Sequence, residues 1–363
     1  MNEDNRNFRI ATEDIISNLL DEASTEFINE LNQFSGRCMS AIDEQPETLL
    51  CSLFLSSIKE HYVPNEINRE HLYLKRYEIP QIQLFDLLIT KFPFVVSSHL
   101  ICNNIIHKWI DNLSSAAIID VGIGRGIQME TIINELQYNK SLEELTIIGI
   151  EPFPDAILYA RRRIEDATKK VRFKVIAHFI EGFAEDINSF EVAKLLPRKF
   201  GKLIINSSLA LHHIPSVELR KRFFDQMKEL NPDAIILTEP HSDHLTSDWK
   251  QRVKNAWTHY RSVFDTIDVL KINNVEKNGL KMFFGREIED VIGTAETQRV
   301  EKHQLSQNWI SYIQSIGMKA QNNLTVPNSL SSDAITILPY HDGVLMMNRN
   351  EVNVLAIIVA TKS

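Results

Sequence analysis

The chain has 363 residues, of which 44% are hydrophobic and 24% charged, and its formal net charge is −9. That length allows two domains or one elaborated one, with enough apolar material for a sizeable core. The acidic balance argues against a basic nucleic-acid module, and no run approaches the roughly 18 apolar residues of a membrane span. Cys38, Cys51 and Cys102 are odd in number and form no CxxC pair, so neither a disulfide framework nor a thiolate metal site is indicated. With a polar amino terminus that lacks an apolar signal core, these features predict a cytoplasmic protein. Direct nucleic-acid binding and a membrane partner are not expected. The basic clusters Arg161 to Arg163 and Lys169, Lys170 read as a solvated helix face.

Residues 1–112 read as helices only. "TEDIISNLLDEASTEFINELNQF" opens on Thr and Asp and places Ile15, Leu19, Leu20 and Phe27 near helical spacing. "PQIQLFDLLITKFP" and "SSHLICNNIIHKWIDNL" repeat that character, and Pro64, Pro80 and Pro93 punctuate the region. The expectation is an amino-terminal helical cap over 1–112.

From Ala116 short β-rich runs alternate with helical stretches. "AAIIDV", "LTIIGIE", "RFKVIAHFIEG", "KLIINSS" and "DAIILTEP" are the strand candidates, and amphipathic segments separate them. This order predicts a mostly parallel sheet with helices on both faces. Two further apolar runs, Val344 to Met347 and Val352 to Ala360, are joined by a polar turn and read as an antiparallel hairpin closing the sheet's edge. An α/β core with such a hairpin after five parallel strands is Rossmann-like, of the class I methyltransferase kind. The core is placed at 113–363. Residues 243–285 are read as an insertion contributing to the cap, packed as a lid over the carboxyl ends of the strands.

The chemistry-bearing stretch is "IIDVGIGRG", which sets Asp120, Gly122, Gly124 and Gly126 at alternate positions. In a doubly wound sheet, ligands bind where strands end and helices begin, and glycines there let the backbone turn without a Cβ clash. The spacing differs from the dinucleotide fingerprint G-x-G-x-x-G. It suits S-adenosylmethionine, with Asp120 serving the ammonium group and backbone N–H groups the carboxylate. The bland alternative is a tight turn with no ligand. Glu151, at the end of the next strand, is placed to accept both ribose hydroxyls, with Pro152 beside it. "EGFAEDI" resembles the "GDAED"-type turn that methyltransferases use around adenine, which implies adenine contacts at Phe183 and Ala184, with Phe183 in place of that turn's usual acid. Asn206 is read with the donor site, and Ser207 and His213 with the substrate. His212, Glu239 and His241 are the candidate catalytic residues, because an imidazole at a strand end suits proton removal near neutral pH. Asn103 and Gln128 complete the candidate substrate contacts. "TEPHSDH" matches no metal signature, and no metal is expected.

In order, these pieces resemble the GRAS domain family, in particular its bacterial-type members. "AIID" with "GRGIQM" resembles the family's "VHIID" and following turn. "FPFVVSSHLICNNII" resembles its "HFTANQAI" helix through His99, Asn103 and Asn104. "IINSSLALHHI" resembles "VNSVLQLHRL". Further matches fall at Gly285, Arg286, Glu287, Arg299, Glu301, His303 and Trp309, and at Asp342 to Met346. The resemblance implies a methyltransferase-like core with a helical cap. Many plant members are transcriptional regulators that replace the first loop glycine, whereas Gly122 is present here. The reading is an S-adenosylmethionine-binding methyltransferase whose small-molecule substrate lies between core and cap. The alternative is a non-catalytic interaction module with a protein partner or a second copy of the chain.

Overall fold

The computed structural model describes residues 8–64, 81–326 and 330–362. Pro80 lies outside them. Five helices come first: α1 (Phe8–Ser17), α2 (Thr25–Ser40), α3 (Thr48–Tyr62), α4 (Gln81–Lys91) and α5 (Pro93–Ile110). The alternating stretch follows as β1 (Ser115–Val121), α6 (Ile127–Leu136), β2 (Glu144–Glu151), α7 (Pro154–Thr168), β3 (Lys174–Glu181), α8 (Ser189–Leu195), β4 (Lys202–Ser208), α9 (Val217–Glu229) and β5 (Ala234–Pro240). Then come α10 (Trp249–Val269), α11 (Asn274–Ile288), α12 (Ser306–Ser315), β6 (Lys319–Ala320), β7 (Thr336–His341), β8 (Val344–Arg349) and β9 (Val352–Thr361). Among the described residues, no single helix is long and apolar enough to cross a membrane.

The chain divides into two compact units. One draws on Met1–Phe92, Ser242–His303 and Arg349–Val354, the other on Pro93–His241, Gln304–Asn348 and Leu355–Ser363. The division falls at Phe92, so α5 groups with the sheet rather than with the helices before it.

The first unit is helical. Its opening run is two helices. Thr12 sits inside α1, with its hydroxyl donating to the Phe8 carbonyl, and a new helix starts where Ser24 accepts the Phe27 N–H at 3.1 Å. Serine and threonine inside a helix bond back to the preceding turn, whereas at its start they cap free N–H groups. The variable stretch after α10 forms α11 through a reciprocal capping box between Asn273 and Glu276.

The second unit carries a nine-stranded sheet in the order β3-β2-β1-β4-β5-β9-β8-β7, with β6 on β9. β1 to β5 are mutually parallel, and β9 runs antiparallel to β5. This is the Rossmann-like methyltransferase arrangement expected, with one correction. The hairpin does not close the edge, because β7 pairs antiparallel with β8 outside it. Ile337 is the one buried residue of β7, so no apolar run announces it. The β8–β9 turn uses Asn350 and Glu351 at positive φ, which matches the twist of the strands it joins. On one face Ile119, Ile205, Ile235 and Ile358 pack with Phe223, Phe224 and Trp309. Each fully buried side chain of this size contributes about 1.5–3 kcal/mol. That core fixes the carboxyl ends of β1, β2, β4 and β5, where the candidate residues sit.

Candidate functional site

The three loop glycines all have positive φ, +77° at Gly122, +53° at Gly124 and +75° at Gly126. Their surroundings differ. A Cβ on Gly122 would lie 2.4 Å from the Ala210 methyl, and one on Gly126 would lie 2.9 Å from the Ala160 Cα. These two glycines are therefore required by close packing against the loop after β4 and against α7. Beside Gly124 the nearest atom to a Cβ is 4.0 Å away, so its outer side is open.

Glu151 ties the loop to the end of β2. Its Oε2 accepts the Gly124 N–H at 3.0 Å and its Oε1 the Phe153 N–H at 3.2 Å. Burial pushes the carboxyl up, and the two N–H donors partly oppose this. Phe153 and Phe183 follow adjacent strand ends, since Glu151 and Glu181 are register partners, and both rings are more than half exposed. Ala184 begins the short 3-10 turn Ala184–Asp186. Pro152 lies between Glu151 and Phe153, at the edge of the loop.

Asp120 is buried at the end of β1, and burial raises its carboxyl to about 7, against the opposing hydrogen bond from Asn206. Asn206 Nδ2 donates to Asp120 Oδ1 at 2.7 Å and approaches Gln128 Oε1 at 3.2 Å. Gln128 Nε2 in turn donates to Asn103 Oδ1 at 3.1 Å. Asn103, Gln128 and Asn206 thus form a buried amide chain ending on Asp120, and their polar groups are turned toward one another. Ser207 is also turned inward, its hydroxyl donating to the Val121 carbonyl at 3.0 Å. The half-buried hydroxyl at this strand end belongs to Ser208, 3.2 Å from His99 Nε2 on α5. That pair was not expected, because its members are far apart in sequence.

The second strand-end cluster centres on Glu239. Its Oε2 lies 2.6 Å from His212 Nδ1, and its Oε1 accepts the Leu211 and Ala210 N–H groups at 2.8 and 3.3 Å. Burial pushes Glu239 up, but the His212 ring, its N–H and the Leu211 N–H reverse this and leave the carboxyl below its usual value. His212 is carried on the 3-10 turn Leu211–His213, and the His213 ring lies 4.0 Å from it. Leu209, just before, is held at φ +56°, a strained position for a bulky residue.

Arg220 of α9 pins this turn. Its fully buried guanidinium donates to the His212 carbonyl at 3.0 Å and to the Ile214 carbonyl at 3.1 and 3.2 Å, and lies over the Trp309 ring. The sequence held a signal for it. In α9, Arg220 shares the buried helical stripe of Phe223, Phe224 and Met227, and an arginine on an apolar stripe is buried for a partner.

His241 is turned away from this cluster. Its Nδ1 accepts the Ser306 N–H at 3.1 Å, and burial lowers the ring to about 4. With Nδ1 accepting, the ring proton is on Nε2, which suits a donor rather than the expected base. In the helical unit, His244 Nε2 lies 2.9 Å from the Ser242 hydroxyl, and its ring stacks on His303.

The sequence profile of the GRAS domain family matches residues 21–351. The chain belongs to the GRAS domain family. Among relatives of this GRAS protein, the DELLA protein GAIP of Cucurbita maxima is 22% identical over 236 residues, covering 62% of this chain and 40% of that one. The Scarecrow-like transcription factor PAT1 of Arabidopsis thaliana is 25% identical over 236 residues, covering 60% and 47%. The match thus spans less than half the length of each of these relatives. The crystal structure of SCL7 from Oryza sativa superposes with a TM-score of 0.78 at 17% identity, covering 97% of this chain and 98% of that one. This GRAS protein therefore shares the whole fold of that chain.

Proposed function

We propose that this GRAS protein binds S-adenosylmethionine at the β1–α6 loop and transfers its methyl group to a small molecule. The observation that carries the reading is Glu151, a buried strand-end carboxylate bonded to the Gly124 N–H beside the one loop glycine with open space. A carboxylate has about four acceptor sites, so two remain for ribose hydroxyls. Phe153 and Phe183, exposed on adjacent strand ends, offer apolar faces to a purine.

When bound, the donor supplies a methyl carbon activated by the positive sulfonium. Asp120, through its second oxygen, attracts the ammonium group, while Asn206 holds the first. Pro152 and Ala184 shape the edges of the nucleoside site. His212 is the base: with its Nδ1 proton donated to Glu239, the lone pair is on Nε2. With the donor bound, His212 would take the acceptor's proton as the methyl passes to the acceptor and the methyl–sulfur bond breaks to leave S-adenosylhomocysteine, and ionised Glu239 would stabilise the imidazolium. Ser208 and His213 orient the acceptor. Arg220, by fixing the carbonyls on either side, is a positioning residue.

A second reading has its own observation. Ala210 and Ala160 fill the space beside Gly122 and Gly126, so the loop's shape is accounted for without a ligand. On this reading the protein is a non-catalytic module that binds a protein partner or a second copy of itself.

Incubating the protein with S-adenosylmethionine and a pooled small-molecule extract, and following S-adenosylhomocysteine, tests transfer directly. Product that depends on both protein and extract supports the enzyme. Its absence, with donor binding intact, favours the interaction module.

A further inference from the structure

In the helical unit, α2 and α3 form an antiparallel hairpin with small residues at the contact. The Ser35 hydroxyl lies 3.2 Å from that of Ser52 and 3.0 Å from that of Ser56. One turn on from Ser35, this register brings Cys38 opposite Cys51. Both side chains are fully buried, and each thiol shifts the acidity of the other. The sequence gives no hint of the pairing, because the cysteines sit in different helices with no CxxC spacing.

We propose that Cys38 and Cys51 are a two-thiol redox site that closes to a disulfide across α2 and α3 on meeting a peroxide or a small-molecule disulfide.

The two sulfurs are not equivalent. The Cys38 thiol holds the Cys51 thiol below its ordinary value against the effect of burial, and Thr12 and Arg9 of α1 act in the same direction. The same pairing, with burial, pushes Cys38 well up. Arg9 also pairs with Asp265 at 2.7 Å, and the Cys51 thiol makes a long 4.0 Å contact to the Glu47 carbonyl. The Arg9 guanidinium and the Thr12 hydroxyl beside Cys51 favour its thiolate, so attack is assigned to Cys51 and resolution to Cys38. With hydrogen peroxide, the Cys51 thiolate attacks one oxygen and the O–O bond breaks. This leaves a sulfenic acid and releases hydroxide, which is protonated to water. The Cys38 sulfur then attacks the Cys51 sulfur, losing its proton, and the S–O bond breaks to give a second water. Two thiols are oxidised by two electrons in all, and the peroxide is reduced. Because both sulfurs are covered, the rate follows local opening of the hairpin, whereas the equilibrium follows the juxtaposition.

The test is therefore an equilibrium. The full-length protein is held in a series of reduced and oxidised glutathione buffers, native and in urea, then quenched by alkylation, digested and read by mass spectrometry. If the fold presents the pair, the 38–51 disulfide forms in the native chain at a poise at least about tenfold more reducing than in the unfolded chain. Cys102, which contacts Thr238 in the sheet unit, serves as the internal control and stays alkylatable after unfolding. A native-to-unfolded ratio of one or less overturns the proposal. So does oxidation of Cys51 to sulfinic acid or a glutathione adduct without the cross-link.

Discussion

Glu239 Oε2 lies 2.6 Å from His212 Nδ1, with the two side chains 0% and 6% exposed. A buried carboxylate is tolerated when its acceptor sites are filled, and here His212, Leu211 and Ala210 fill them. Glu239→Gln keeps the shape but loses the charge that stabilises the imidazolium. The expected result is a loss of about 2–4 kcal/mol in urea unfolding. Any methyl-transfer rate should fall by about 10²–10⁴ with donor affinity unchanged. An unchanged rate would remove His212 from the base role.

Gly122 and Gly124 are expected to separate stability from binding. Gly122→Ala meets Ala210 and a positive φ, and should cost about 2–4 kcal/mol, partly recovered by adding Ala210→Gly. Gly124→Ala meets open space and carries only the backbone cost of about 1–2 kcal/mol. Donor affinity should fall more for Gly124→Ala than for Gly122→Ala with Ala210→Gly, as read by calorimetry beside urea curves. The opposite order would place the donor nearer Gly122.

Asp120 should make both stability and donor affinity depend on pH. Its carboxyl is at about 7 in the folded chain against the ordinary 3.8. The folded state therefore holds the proton more tightly, and the stabilisation of the protonated form is lost as pH rises from about 4 to about 7. Asp120→Asn should flatten that decline and raise stability at pH 8 by about 1–3 kcal/mol. The wild-type carboxylate attracts an ammonium group only when ionised, so donor affinity should rise through pH 7 in the wild type and stay flat in the variant. Parallel unfolding and binding series at pH 5 to 8 check both signs.

Arg220→Met replaces the guanidinium with an apolar chain and leaves the His212 and Ile214 carbonyls without their donor. Stability should fall by about 2–4 kcal/mol. The imidazole signals of His212 should broaden, while donor affinity is kept. A sharp, unshifted His212 resonance would show that the turn holds itself.

Much of this was legible from periodicity. β1, β2, β4 and β5 read as apolar runs because both faces of the sheet are covered there, whereas the edge strand β3 is only half-buried, and strand-end acids such as Asp120 and Glu151 stand out after such runs. The edge strand β7 was not legible, because Pro339 and exposed neighbours break its pattern, which an edge position tolerates. The break between α1 and α2 was hidden by Leu19 and Leu20, apolar residues lying between the two helices. Within the site, orientation was the missing quantity. Nothing in "NSS" says that Ser207 turns to the Val121 carbonyl and Ser208 to His99, and nothing in "EPH" says that Glu239 turns to His212 while His241 turns to Ser306. Each choice depends on a partner supplied by a different element.

The central claim is that the β1–α6 loop and Glu151 form a donor site. Its most direct test is calorimetric titration of the folded protein with S-adenosylmethionine and S-adenosylhomocysteine, beside Glu151→Ala. Saturable binding of both nucleosides at micromolar concentration, weakened at least about tenfold in the variant by loss of the ribose bonds, is the predicted result. No heat up to millimolar nucleoside, or equal binding by wild type and variant, would contradict it.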